Sequence, residues 1–215
     1  MAWSYSALTA YETCPRRFAE TRIFKRVPDP PGAEAQWGTR VHKALEDRVK
    51  SNQPITGALS MYEPFAAKIC TFPGTIHAEQ KIALNRDLQP VGYFAKDVWV
   101  RAVLDVMVVN LPRIFIGDYK TGRRKPESQQ LELSAAIAAA LHPEADEFDT
   151  MFLWLKDKAV DKEHFKRSDI GAIWSRSLPR VERLEAAVSS GDFPPKPSGL
   201  CKSWCPVKTC EFCGE

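Results

Sequence analysis

Long apolar runs are missing from these 215 residues. No stretch approaches the ~20 apolar residues that a bilayer-spanning helix needs, so a helical membrane protein is excluded. A strong charge of one sign is missing as well. Thirty basic residues against 27 acidic ones leave +3 at pH 7, so overall charge does not identify a partner. The opening MAWSYSALTAYE has no basic segment followed by an apolar one; a signal peptide is not expected, and a cytoplasmic, intracellular location is. There is no internal repeat and no low-complexity tract, which excludes repeat arrays. Cysteine is scarce through most of the chain, with only Cys14 and Cys70 before Cys201, Cys205, Cys210 and Cys213 crowd the last fifteen residues. In a reducing compartment such crowding points to metal ligation rather than disulfides.

What is present fits one folded domain. The hydrophobic fraction of 44% is too high for a disordered chain. Helical periodicity predicts helices over Ser6 to Phe24, broken near Pro15, and over Ala33 to Lys50, where Trp37, Val41, Leu45 and Val49 recur every four residues. A short helix is expected from Leu59 to Ile69. The character then changes. Thr75 to Leu84, Lys96 to Asn110 and Arg113 to Thr121 read as strands, the last two joined tightly at Leu111–Pro112 as a hairpin. Glu127 to Leu141 is an Ala- and Leu-rich helix, Glu147 to Lys156 a strand, and Ile170 to Ser189 a helix. This order predicts an α/β fold with a mixed sheet flanked by helices, ending in a Pro-rich stretch and a cysteine-rich tail.

Two acidic residues stand out. The hairpin brings Asp105 and Asp118 toward one end, and Asp118 and Lys120, two apart on a strand, share a face. Paired carboxylates beside a lysine suit a hard cation such as Mg²⁺, which takes oxygen ligands. The cation polarises a phosphoryl oxygen and helps make hydroxide, and the lysine can orient that nucleophile and offset negative charge. On its own, the triplet Asp118-Tyr119-Lys120 reads first as an ordinary surface pair on a strand, because three residues carry little information.

The surroundings carry more. In order along the chain stand SALTAYETCPRRF, GTRVH, HAEQ, RAVLD, GDYKTG and QLELSAAI. This ordered set resembles the PD-(D/E)XK nuclease superfamily, in particular its RecB-like branch, from Ser6 to Cys210. The resemblance implies a restriction-endonuclease-like core across residues 1–215, with a helical part over 1–75, a catalytic core over 76–190 and a metal-binding tail over 191–215. It implies that Asp105 and Asp118 bind Mg²⁺ or Mn²⁺, joined by His42 and the backbone carbonyl of Tyr119. Lys120 then assists the attacking water, and Gln130 orients Lys120 or contacts DNA. Glu79 is either a further ligand through water or a plain charged strand residue. One position departs from the pattern: the family's Gly three residues before the first aspartate is Ala102 here.

For the tail, four clustered thiols by themselves fit Zn²⁺ or an iron–sulfur cluster. The resemblance implies a [4Fe–4S] cluster held by Cys14, Cys201, Cys205 and Cys210, with Cys213 as the alternative ligand. Its tail spacing is x3 then x4, where the family has x2 then x5. Cys70, in an apolar segment, reads as a small buried hydrophobe. Trp3, Trp37 and Trp204 are assigned to core or interface packing. Arg16, Arg17, Arg123, Arg124 and Lys125 are candidate phosphate contacts, as is the basic run Lys162 to Arg167. The expected activity is DNA exonuclease, in recombination or repair, with a single-strand-annealing protein as a possible partner and a phage origin possible. An endonuclease, a non-catalytic DNA-binding protein and a zinc-stabilised interaction module are the rivals.

Overall fold

The structure is a computed structural model that describes residues 1–125 and 129–214. The start of the helix expected from Glu127 lies outside the described residues. Clustering of contacts divides the chain into two compact units. The larger spans Gly32–Ser175, and the smaller is formed by Trp3–Pro31 together with Arg176–Glu215.

The larger unit is built on a six-stranded sheet. Its strands are β1 (Thr75–Leu84), β2 (Pro90–Val91), β3 (Val100–Asn110), β4 (Arg113–Lys120), β5 (Glu147–Trp154) and β6 (Ala159–Lys166). They lie in the order β2-β1-β3-β4-β5-β6. Every pairing is antiparallel except β4 with β5. That parallel step requires a crossover, which the segment containing α5 (Gln129–Leu141) supplies.

Helix α3 (Ala33–Ser51) and helix α4 (Glu63–Ile69) pack against the sheet. Val41, Leu45, Ala66 and Ile69 meet Val106, Val108, Phe115, Tyr119 and Leu153 in one cluster. Val41 and Leu45 are four apart, so they fall on one helix face, and both are fully buried. A second cluster joins Leu131 of α5 to Phe152 and Trp154 of β5. Five alanines and Leu131, Leu133 and Ile137 make α5 apolar nearly all round, as a helix enclosed within a domain must be.

In the smaller unit the first expected helix is three pieces. α1 (Tyr5–Thr13) is capped by the Ser4 side chain, α2 begins at Pro15 and runs to Phe18, and a π-helical turn covers Ala19–Ile23. Pro15 causes the break, because it has no N–H for the preceding turn but suits a first helical position. α6 (Ile170–Ser190) begins in the larger unit and continues into the smaller one, and α7 (Leu200–Ser203) is a single turn in the tail. Within this unit Arg180 forks onto both carboxylate oxygens of Glu12, at 2.7 and 2.6 Å. Lys196 Nζ donates to the Glu12 carbonyl at 2.6 Å.

The sheet differs from the sequence expectation in three places. The strand expected from Lys96 starts at Val100, because 96–97 form a turn. Strands β2 and β6 were not expected. β6 contains the basic run Lys162–Lys166, whose charges alternate with the buried Phe165. The following Arg167 is spent on the carbonyls of Ala139, His142 and Ala145, so it is a brace rather than a phosphate contact. One side-chain expectation also changes. Cys70 is only half-buried, with its sulfur 3.6 Å from Arg48 Nη1. Trp3 packs in the core, while Trp37 and Trp204 are exposed.

Candidate active site

β3 and β4 pair from Asn110↔Arg113 as far as Val106↔Gly117. Beyond that point the ladder opens, and Asp105 enters the gap. Its Oδ2 accepts the backbone N–H of Tyr119 at 2.8 Å, replacing a strand-to-strand bond with one from a side chain. Gly117 sits at the edge of the opening. A Cβ there would lie 2.8 Å from Val106 Cγ1 and 3.3 Å from Phe115 Cζ, so the close approach of the two strands needs glycine.

Helix α3 delivers the imidazole. Gly38, one turn before His42, lets the helix lie close to the end of β4, where a Cβ would meet Thr121 Oγ1 at 3.0 Å. His42 Nδ1 then lies 3.3 Å from Asp105 Oδ1, and Nε2 lies 2.8 Å from the Tyr119 carbonyl. Burial alone lowers the imidazole pKa. The hydrogen bond and charge of Asp105, with Asp118 and the Tyr119 carbonyl, outweigh burial and raise it above its ordinary value. When protonated the ring donates to the carbonyl and the carboxylate together, and when neutral it offers a nitrogen to a cation.

Glu79 arrives by a backbone irregularity. It is left out of the β1–β3 pairing, between Ala78↔Val106 and Gln80↔Leu104, and its φ is +52°. The register is the same on both sides, so neither strand gains a residue here, and the positive φ alone takes Glu79 out of the regular alternation. The left-handed conformation is uncommon for a residue with a Cβ, and such strain gathers at functional sites. Ligand atoms of His42, Glu79 and Asp105 all lie within 4.8 Å of one another. Burial, followed by the charge of Asp105, raises the Glu79 pKa. Two carboxylates and an imidazole converging with a backbone carbonyl form a donor set that suits a hard divalent cation.

Asp118 stands one step away, tied to the lysine. Lys120 Nζ is 2.8 Å from Asp118 Oδ1 and donates to Gln130 Oε1 at 2.8 Å. The Gln130 amide donates to Asp118 Oδ2, closing a three-residue ring. Lys120 Nζ also stands 4.7 Å from the centre of the Phe152 ring. Burial and the charge of Asp105 push the Asp118 carboxyl up to about 6, against the pull of Lys120. A carboxylate in this state gains most from a cation. The geometry therefore gathers all seven expected residues of the centre, His42, Glu79, Asp105, Asp118, Tyr119, Lys120 and Gln130, within the larger unit. Glu79, which the sequence left open, belongs with His42 and Asp105.

The expected cysteine ligands lie in the smaller unit. Cys14, Cys201, Cys205 and Cys210 line one pocket together with Arg16, Arg17 and Phe212. Cys213 is not among the residues lining it. All six cysteines are free thiols. Four thiols facing one space fit a tetrahedral thiolate-bound group. Among the candidate phosphate contacts, Arg123 and Lys125 are exposed. Arg124 forks onto Asp161, Arg17 pairs with Asp29 at 2.8 Å, and Arg16 stands 3.4 Å from Glu20.

Comparison with solved structures adds the fold. A protein from Eubacterium rectale, provisionally described as an exonuclease, superposes with a TM-score of 0.57 at 11% identity, over 94% of this chain and 86% of its own. A protein named SSO0001 superposes with a TM-score of 0.50 at 15% identity, over 99% and 87%. Among curated proteins none matches the sequence. No helix among the described residues is long and apolar enough to cross a membrane. The family model of the PD-(D/E)XK nucleases matches residues 2–211. That match covers nearly the whole chain, on a mixed sheet flanked by helices with the acidic residues and lysine at its opening. The chain belongs to the PD-(D/E)XK nuclease superfamily of metal-dependent nucleases that act on DNA.

Proposed function

We propose that this protein is a Mg²⁺- or Mn²⁺-dependent DNA exonuclease that hydrolyses phosphodiester bonds from a strand end, in recombination or repair. The observation that carries the reading is the ammonium of Lys120. It is fixed at 2.8 Å by both Asp118 and Gln130, beside the convergent His42, Glu79 and Asp105. A bound divalent cation supplies Lewis acidity toward the phosphodiester and the attacking water. His42, Glu79, Asp105, Asp118 and the Tyr119 carbonyl are the groups to hold it. Lys120 orients the water and offsets charge on the phosphoryl oxygens, at a position set before substrate arrives. Gln130 keeps Lys120 in place. Arg123 and Lys125 contact phosphates, which steady the strand without reading its sequence.

The second part of the proposal is a [4Fe–4S] cluster on Cys14, Cys201, Cys205 and Cys210, acting as a structural tie rather than a redox catalyst. Four thiols lining one pocket support it. Metal analysis of freshly purified protein tests it: about four irons per chain agree, and one zinc without iron replaces the cluster with a zinc site. We further propose that it acts alone or with a recombination partner such as a single-strand-annealing protein.

The activity is tested with end-labelled linear DNA and a closed circle, each with Mg²⁺, Mn²⁺ or chelator. Metal-dependent loss of the linear DNA alone agrees with an exonuclease, and the label released first gives its polarity. Cutting of the circle makes the enzyme an endonuclease. No cutting by iron-replete protein leaves a DNA-binding protein.

A further inference from the structure

The segment joining β1 to β3 carries an aromatic and cationic cluster that phosphodiester hydrolysis does not use. Tyr93 and Phe94 meet edge to face, with ring centres 5.1 Å apart. Phe94 is 83% exposed, although nothing in folding rewards leaving such a ring in water. Two cations flank the pair. Arg101 on β3 donates from Nε to the Tyr93 carbonyl at 2.8 Å, and its guanidinium lies 5.5 Å from the Tyr93 ring centre and 6.0 Å from that of Phe94. Lys81 Nζ on β1 lies 5.8 Å from the Tyr93 ring centre.

The cluster is held before any ligand arrives. Asn85 closes the turn after β1, where its side chain accepts from the backbone N–H groups of Asp87 and Gln89. The N–H of Ala95 donates to the carbonyl of Gly92 at 2.8 Å. Strand pairing places the cations. Lys81 stands opposite Val103 and Ala83 opposite Arg101, so Lys81, Val103 and Arg101 share one face of the sheet. Val103 on that face is an exposed apolar side chain. Asp105 is the next residue of β3 with the same alternation. Arg101 precedes it by four residues, or about 13 Å of strand. Within the connecting segment Arg86 and Lys96 balance Asp87 and Asp97, so the positive charge comes from Lys81 and Arg101.

We propose that Tyr93 and Phe94, flanked by Lys81 and Arg101, form a base-stacking subsite for single-stranded DNA leading away from the reaction centre. Rings receive bases of any sequence, and neighbouring cations receive phosphates. At a rise of ~3.4 Å per stacked base, Arg101 at the edge of the subsite lies about four nucleotides along β3 from Asp105. The strand reaches the centre unpaired, since a base inside a duplex has no face to offer Phe94. This deepens the nuclease reading and rests on it.

The test uses the full chain in chelator, so that binding is read without cutting. Probes are fluorescent oligothymidylate, an abasic strand with the same number of phosphates, and a blunt duplex. We expect Phe94→Ala to weaken oligothymidylate binding about tenfold. Phe94→Trp retains the affinity, and duplex binding is unchanged by either substitution. We expect the wild type to bind the abasic strand at least as weakly as Phe94→Ala binds oligothymidylate, and Phe94→Ala, which keeps Tyr93, to distinguish the two strands less than the wild type does. Unchanged oligothymidylate binding by Phe94→Ala overturns the proposal and leaves the ring for a protein partner. An equal loss on all three probes overturns it too, because it marks a general electrostatic or folding effect. A parallel cleavage assay with Mn²⁺ separates the failures. Cutting by a wild type whose strand binding ignores Phe94 removes the subsite alone, whereas neither cutting nor binding removes the nuclease reading with it.

Discussion

Replacing Asp118 with Asn should abolish cutting and, at the same time, make the metal-free protein more stable. Asp118 shares its site with Asp105, and burial together with that neighbouring charge raises its carboxyl from 3.8 to about 6. The folded chain thus holds this proton more tightly than the unfolded chain does. Charging the group penalises the folded state. The penalty is absent below about pH 3.8, grows as pH rises toward 6, and is complete above that. At 1.36 kcal/mol per pH unit it comes to about 3 kcal/mol. Asn removes the charge but takes the carboxylate away from Lys120. That ammonium is 27% exposed, so water compensates in part. We expect a net gain of about 1–2 kcal/mol, or about 2–8 °C in Tm for a chain of this size. Circular dichroism melts in chelator, at about pH 7.5 and about pH 5, measure it. The gain should shrink at the lower pH. Added Mg²⁺ should raise the Tm of the wild type and not of the variant, because only the wild type retains the full ligand set. A lower Tm for Asp118→Asn at the higher pH, or a gain that grows toward acid, would refute the reasoning.

Lys120→Ala should slow cutting by about 100-fold or more while DNA binding in chelator persists, because it removes charge stabilisation rather than the phosphate contacts; an unaltered cleavage rate contradicts the assignment. Gly117→Ala should cost about 1–3 kcal/mol in denaturant unfolding, since its Cβ would overlap Val106 Cγ1. Leu45→Ala, at a fully buried position against the sheet, should cost about 2–5 kcal/mol by the same measurement. Cys210→Ser should strip bound metal from purified protein where Cys213→Ser leaves it, as only the first thiol lines the shared pocket; equal metal loss from both would place Cys213 among the ligands.

Much of this was legible in the sequence, for reasons that differ by element. β1 is read to the residue because Thr75 to Leu84 alternates and is bounded by Gly74 and Asn85. α3 is read to within a residue because four apolar residues recur at helical spacing. β6 was missed because Lys162, His164 and Lys166 face outward beside only one buried aromatic, so its pattern reads as charge. β2 has two residues and exists only by pairing with β1. At the site, Asp118, Lys120 and Gln130 come from adjacent segments, and the motif order exposes them. Glu79 was ambiguous because its placement depends on one residue's positive φ, and no local signal in HAEQKIAL announces it. Phe94 was invisible as a functional residue, because only the folded chain reveals that its ring stands in solvent.

The division of the chain has a consequence for its synthesis. The smaller unit is made of Trp3–Pro31 and Arg176–Glu215, two segments separated in the chain by the whole of the larger unit. A ribosome releases the first segment well before the second. At ~5–20 residues per second, the stretch from Cys14 to Cys201 takes about 10–40 s to emerge. The larger unit is contiguous and can form its sheet while translation continues. Cys14, by contrast, is made with none of the other thiols of its pocket and waits for Cys201, Cys205 and Cys210 until the larger unit has emerged. During that wait the space lined by four thiols does not exist, and whatever binds there is added after Cys210 has been made.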